Sequence, residues 1–300
     1  EVTSRFYGCG SPIPNAVEGK TILDLGCGTG RDTFIFAKLV GEKGRVIGVD
    51  MTPEQLTVAN EHVDYHREKF GYAESNTTFH KGYIEDLQSL YIEDNSIDIV
   101  SSNCVLNLSA DKRRVFSEIF RVLKPGAELY FSDVFASRRI PEELQNDPVL
   151  RAECLGGALY VEDFRRLLAD LGCNDHRVVS TARIDINDAD IEEKLGDAEF
   201  FSTTIRAFKI DVEDRCEDYG QVAWYRGGIA ESPQQFVLDD HHVFEKDRPM
   251  LVCSNTARML AQSRFAQFFE IQGDESKHFG LFDCSSPTVT DSEAPSGTCC

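Results

Sequence analysis

The stretch Thr21-Ile-Leu-Asp-Leu-Gly-Cys-Gly-Thr-Gly-Arg-Asp32 constrains this chain more than any other. An apolar run of Ile22, Leu23 and Leu25 enters Gly26, Gly28 and Gly30, and a helical pattern follows through Phe34, Ala37 and Leu39. That is a strand, a tight turn and a helix N-terminus, with glycines where a Cβ would keep a ligand off the backbone. A second apolar run, Arg45-Val-Ile-Gly-Val-Asp50, ends in a carboxylate 20 residues after Gly30. An acid at that place suits a ribose diol, so the unit reads as a nucleotide-binding βαβ. The alternative is a glycine turn in some other α/β fold.

Spacing separates two cofactors. Dinucleotide enzymes need G-x-G-x-x-G, because a pyrophosphate sits on the helix N-terminus. Here the pattern is Asp24-x-Gly26-x-Gly28-x-Gly30, which resembles the first motif of S-adenosylmethionine-dependent methyltransferases. An acidic loop repels a pyrophosphate but suits the ammonium group of S-adenosylmethionine, which is the expected cofactor.

Three hundred residues, 41% hydrophobic and 27% charged, fit one large or two ordinary soluble domains. The net charge of -20 repels nucleic acid backbones and anionic membranes, and no apolar run approaches a membrane span. The chain starts at Glu1 without an initiator methionine and is expected to be a fragment. Its 10 cysteines are irregularly spaced, with no C-x-x-C pair and no zinc pattern, so a reducing, cytoplasmic setting is expected.

Alternation of strands and helices continues from Thr21–Leu25 through a helix at Arg31–Val40 and a strand at Arg45–Asp50. A helix capped by Thr52 is expected to run to Phe70, followed by strands at Thr77–Lys81, Ile97–Asn103 and Ala127–Val134. Ser109 or Asp111 caps the helix before the last of these. This order predicts a doubly wound, mainly parallel Rossmann-like sheet of the class I methyltransferase type. Tyr83, Ile84 and Glu85 fall in a crevice-edge loop, where they either enclose an adenine or form an ordinary turn.

The rhythm changes after Ile140. Short helices around Glu142–Asp147 and Val149–Glu153 lead to Cys154-Leu-Gly-Gly157 and an amphipathic helix at Val161–Leu171. Arg177–Ile184 and Phe201–Phe208 read as antiparallel edge strands, with a solvated acidic run between Asp185 and Glu199. We expect a cofactor-binding domain at 1–136, a substrate segment with sheet-closing strands at 137–210, a small α+β domain at 211–272 and a disordered tail at 273–300.

Buried cysteine is usually a small hydrophobe, and that reading is assigned to Cys173, Cys253 and Cys284. Cys27 reads as packing inside the turn, and Cys299 and Cys300 as a tail pair able to bind a thiophile. Cys104 is placed by topology beside the cofactor crevice, and Cys154 lies in the segment expected to cover it. Cys9, between Gly8 and Gly10, sits on a mobile end. Three converging thiolates around an open position suit a soft, pyramidal centre, and trivalent arsenic fits. Its lone pair is already a nucleophile, so no catalytic base is needed.

Phe6-Tyr-Gly-Cys-Gly10, Ser102-Asn-Cys-Val-Leu-Asn-Leu108 and Glu153-Cys-Leu-Gly-Gly-Ala-Leu-Tyr160, with the glycine turn, resemble arsenite S-adenosylmethionine methyltransferases. The resemblance extends to Arg206-Ala-Phe-Lys209 and Ser263-Arg-Phe-Ala-Gln267, and so covers nearly everything but the tail. It implies that Cys104 and Cys154 hold As(III), while Cys9 completes the sulfur set and shuttles into disulfides. It implies cofactor contacts at Tyr7, Gly26, Cys27, Gly28, Arg31, Asp50, Met51, Ile84, Glu85 and Asn103. The family also has a cysteine upstream of the position matching Cys9. By the same resemblance, glutathione or thioredoxin supplies reducing equivalents and arsenic arrives as a glutathione complex. No metal beyond the substrate arsenic, no nucleic acid and no membrane are expected, and the chain is expected to be a monomer. Two other readings remain open: a methyltransferase for an organic acceptor such as a quinone, and a non-catalytic arsenic-binding or redox-sensing protein.

Overall fold

The computed structural model describes residues 10–186 and 188–284. Alternation of apolar strands with amphipathic helices produces β1 (Thr21–Leu25), α1 (Arg31–Val40), β2 (Arg45–Asp50), α2 (Pro53–Glu61), α3 (Val63–Phe70) and β3 (Thr77–Lys81). There follow β4 (Ile97–Asn103), α4 (Lys112–Val122), β5 (Leu123–Ala136), α5 (Glu142–Gln145), α6 (Pro148–Ala152), β6 (Leu159–Tyr160) and α7 (Val161–Asp170). Next come β7 (His176–Ile184), α8 (Ala189–Leu195) and β8 (Phe200–Phe208). The remainder holds β9 (Glu217–Asp218), β10 (Gln221–Tyr225), β11 (Gln235–Val237), β12 (Val243–Glu245), β13 (Pro249–Val252), α9 (Ser254–Gln262), β14 (Phe269–Gln272) and β15 (Gly280–Leu281).

The main sheet has the order β3-β2-β1-β4-β5-β8-β7, with β6 paired to β5. Strands β1 to β5 pair in parallel. Because β8 is antiparallel to both β5 and β7, it alone is reversed, and the edge strand β7 runs with the others. The expected antiparallel edge is thus a reversed strand one place in from the edge. Leu23, Leu25, Val100 and Leu129 meet α4 and α7 through Phe116, Ile119, Phe164 and Leu168 on one face. Ile22, Val46 and Ile99 pack with Phe36 and Val40 of α1 in a second cluster.

Four expectations are corrected. The long helix after Thr52 breaks at His62, whose ring Nδ1 sits 2.8 Å from the Val58 carbonyl. That carbonyl would otherwise accept the His62 amide, which turns to Ala59 O instead. Strand β5 begins at Leu123, opposite Ile97, and a register shift absorbs the Lys124-Pro-Gly126 turn. The acidic run after Asp185 contains α8, which buries Leu195 against Ala198 and Phe200. Residues 273–284, expected to be tail, include β15, paired with β9; residues 285–300 lie outside the described ones.

The C-terminal strands enclose their own core of Phe208, Tyr225, Phe236, Phe244, Leu260 and Phe265. It is fastened to the main sheet by a buried acid. Glu128 on β5 is fully buried and ion-pairs with both Arg206 on β8 and Arg264 beyond α9. Arg264 also donates to Asn15 O at 2.9 Å, and Arg206 donates to Leu238 O at 2.8 Å. These are the two arginines of the Arg206-Ala-Phe-Lys209 and Ser263-Arg-Phe-Ala-Gln267 stretches. Removing one partner of a buried ion pair leaves a charge without compensation, at about 3–5 kcal/mol. Arg264→Ala is therefore expected to lose about that much stability, read as a lower urea midpoint followed by circular dichroism.

Candidate active site

Strand order reverses at β1, and the crevice beyond the carboxyl ends of β1 and β4 is where such sheets bind ligands. Gly26, Gly28 and Gly30 leave β1 with φ of +71°, +54° and +84°, a region that L side chains rarely enter. A Cβ on Gly26 would lie 2.2 Å from a Val105 methyl, so the turn rests directly on the loop after β4. A Cβ on Gly28 would meet nothing within 4 Å, which is the open space a ligand needs to reach the backbone.

Asp50 closes the other side. Its Oδ2 accepts the Gly28 amide at 2.9 Å and its Oδ1 the Thr52 amide at 2.8 Å, leaving lone pairs for hydroxyls. Asp24, by contrast, is buried and accepts the Thr33 hydroxyl at 2.5 Å, and burial pushes its carboxyl up to about 7. It braces the start of α1, which corrects the expectation that it meets the ammonium group. Asp32 accepts the Asn103 amide at 3.4 Å and pairs with Arg31 at 3.0 Å. Asn103 also donates to Gly10 O at 2.8 Å.

Around this crevice, Met51 is 63% exposed and Tyr83 is 65% exposed, whereas Ile84 packs into the core. Glu85 accepts the Ser109 hydroxyl at 2.5 Å. Cys27 is buried against Gly48, where burial and the nearby Asp24 and Asp50 hold its thiol well above the usual range. These residues fit S-adenosylmethionine: an open glycine turn, a fixed acid at the ribose position and an exposed apolar rim. Tyr7 and Cys9 lie outside the described residues.

The structure brings Cys104 and Cys154 together. The Cys154 thiol lies 3.9 Å from the Cys104 carbonyl oxygen, across a cluster with Leu150 and Leu155. Both are non-glycine residues with positive φ, 55° and 60°. Such backbone costs of order 1–3 kcal/mol and persists only where the surroundings enforce it. For Cys104 the enforcing contact is its amide bond to Ser132 O at 2.9 Å; for Cys154 it is the α6 terminus, where its amide binds Arg151 O at 3.1 Å. Cys104 is disulfide-bonded and Cys154 is a half-buried thiol. Burial, then the charges of Asp133 and Glu153, push Cys154 up to about 11, so it is protonated at neutral pH.

Comparison with known proteins supplies the family. Residues 16–172 match the model of a methyltransferase domain, and residues 218–295 match that of the arsenite methyltransferase C-terminal domain. An arsenite methyltransferase of Aquipseudomonas alcaligenes is 55% identical over 284 residues, 94% of this chain and 82% of the relative. The human arsenite methyltransferase is 45% identical over 91% of this chain and 72% of its own length. The chain belongs to the arsenite methyltransferase family. The crystal structure of an arsenic(III) S-adenosylmethionine methyltransferase from Chlamydomonas reinhardtii superposes with a TM-score of 0.91 at 52% identity, covering 94% of this chain and 95% of that one. The chain is thus an S-adenosylmethionine-dependent transferase with the class I fold. No helix among the described residues is long and apolar enough to cross a membrane.

Sequence reasoning missed the support beneath the thiols of this family member. Asp133 on β5 is buried and accepts the Asn107 amide at 3.1 Å, and burial raises its carboxyl to about 7. Asn107 donates to Val134 O at 2.5 Å, and its carbonyl lies where a Cβ on Gly157 would be, at 2.0 Å. Gly157 is therefore glycine because the loop after Cys154 lies on the loop after Cys104. The available signal was an acid within a strand rich in aromatic and aliphatic residues, Tyr130-Phe-Ser-Asp-Val134.

Two outcomes follow. Gly26→Ala should drive Val105 and the thiol loop aside and weaken S-adenosylmethionine binding on the order of tenfold or more by calorimetry. Because only the thiolate reacts, Cys154 alkylation should rise about tenfold per pH unit from 7 to 10, and Asp133→Asn should shift that profile to lower pH.

Proposed function

We propose that this chain methylates trivalent arsenic held by Cys104 and Cys154, with Cys9 as the third sulfur. The observation that carries this is the meeting of Cys104 and Cys154 on strained backbone beside the glycine turn. Packing cysteines have no need of left-handed backbone, and a quinone site has no need of paired thiols.

S-adenosylmethionine would be held by the Gly26–Gly28 turn, Arg31, Asp50, Met51, Ile84, Glu85 and Asn103, and would supply an electrophilic methyl group to the arsenic lone pair. The chain's own work is binding and aiming. A protonated Cys154 exchanges into a glutathione–arsenic complex with no net charge: its proton leaves on the departing glutathione thiol. The neutral arsenic thiolate that results suits the half-buried pocket better than an anion would. Val105 on Gly26 fixes the distance between arsenic and cofactor, and the Asp133–Asn107–Gly157 stack fixes the two thiol loops on each other.

A disulfide at Cys104 must be reduced before it can bind arsenic, which supports a thiol co-substrate, glutathione or thioredoxin. That requirement favours a reducing compartment, the cytoplasm. A site built within one chain goes with the expected monomer. Methyl transfer to arsenite is expected from the reduced parent, with methylated arsenicals read by chromatography and mass spectrometry. Cys104→Ser and Cys154→Ser should each lose at least about a hundredfold of it while binding S-adenosylmethionine normally. Undiminished activity in both variants would remove the thiols from the mechanism.

A further inference from the structure

Three other cysteines, far apart in sequence, meet where the C-terminal strands close on β7. Cys253 is fully buried at the start of α9, and its sulfur accepts the Thr256 amide at 3.4 Å and an Arg177 N–H at 3.8 Å. Cys216 directly precedes β9, and its carbonyl accepts the Phe282 amide at 2.8 Å, so the β9–β15 pairing carries Cys284 alongside it. The Cys253 and Cys284 thiols both lie close enough to Cys216 to shift its titration, and Arg177, which bonds the Cys253 sulfur, shares a cavity wall with Cys216. Cys216 also lines a cavity of about 330 Å³ together with Asp175, Arg177, Asp214 and Asn255, which gives solutes a way in. Packing alone does not require three thiols from three separate elements to come together beside a cavity that one of them lines.

We infer that Cys216, Cys253 and Cys284 form a second binding site for trivalent arsenic, separate from the methyl-transfer site. The choice of ligand rests on the arsenic reading above; the site itself rests on the three thiols. Cys216 stands between the other two sulfurs, and rotation of the half-buried Cys284 side chain closes them on one ion. Arsenite binds as As(OH)3 plus three thiols giving As(SR)3 and three waters. Three As–O bonds break, three As–S bonds form, each thiol proton leaves on a hydroxyl, and arsenic stays trivalent. No charge is created, and this decides between ligands. Cys216 is drawn down by the Cys253 thiol but raised by Cys284 and by burial, to about 12 overall, and Cys253 is likewise pushed up. Zinc needs thiolates and would leave a net charge in this buried place, whereas the arsenic trithiolate is neutral. Arg177 adds no uncompensated charge, since Asp175 holds it at 2.8 Å and Asp239 at 3.1 Å.

The test uses the full chain, reduced with a phosphine, with Cys9, Cys104, Cys154, Cys299 and Cys300 replaced by Ser. Arsenite is added, excess is removed by gel filtration, and arsenic is counted by mass spectrometry and its neighbours by X-ray absorption. One equivalent bound through three sulfurs is expected. Cys284→Ser, at a half-buried position, should leave two sulfurs and weaken retention on the order of tenfold. Cys216→Ser should abolish it, with melting curves reporting that each variant is folded. In the parent chain, arsenite should protect Cys216 and Cys284 from alkylation, a readout that needs no substitution. The inference is overturned if the five-Ser chain retains no arsenic, if Cys216→Ser retains it fully, or if zinc alone binds. Methylation by the parent is measured separately, so failure of one site leaves the other standing.

Discussion

The contact between Gly26 and Val105 is the constraint on which the rest of the site depends. A turn that must expose its backbone to a ligand and a loop that carries a reactive sulfur meet at the one place where the sheet changes direction. No side chain fits between them. The spacing between the glycine turn and the loop after β4 is thereby set by backbone packing against a branched side chain, and packing of that kind gives little under load. The same device recurs beneath the second thiol, where Gly157 lies against the Asn107 carbonyl. Two glycines at close approaches bring three loops from β1, β4 and α6 to one point.

Electrostatics then selects the chemistry. Burial keeps Cys154 protonated and lifts the Asp24 and Asp133 carboxyls to about 7, so that both titrate around neutral pH. A hydrolase or a zinc site would want ionised ligands. Exchange of neutral thiols onto a neutral arsenic complex does not, because protons and leaving groups depart together. The buried charges that do persist are in the Glu128–Arg206–Arg264 and Asp175–Arg177–Asp239 groups, which tie the C-terminal strands to β5, β7 and β8. These two buried charge groups sit at the seam between the cores.

Much of this was legible in the residues. The strand-turn-helix at Thr21–Val40, the acid ending β2 and the alternation through β5 have periods that follow from local geometry, and they appear where the patterns placed them. The Cys104 and Cys154 motifs pointed to the two cysteines that the fold brings together. The errors were of one kind. The break at His62 depends on a side chain competing for a helix carbonyl, and the pairing of β15 with β9 depends on which neighbour it finds. Asp133 and Asn107 could be noticed only as polar residues in an apolar setting, with no indication of their partners. Cys253 and Cys284 were read as small hydrophobes, because a single buried cysteine carries no sign of another brought to it by β9 and β15.

By itself, then, the sequence determined the cofactor turn and the succession of strands and helices up to β5, which rest on contacts within a few turns of chain, and the family, whose motifs are contiguous stretches. Tertiary structure alone decided which polar residues became partners. Glu128 is 136 residues from Arg264, Cys104 is 50 from Cys154, and Arg177 is 62 from Asp239. Such pairs pay their ordering entropy only once the sheet has closed, so no local pattern has to announce them.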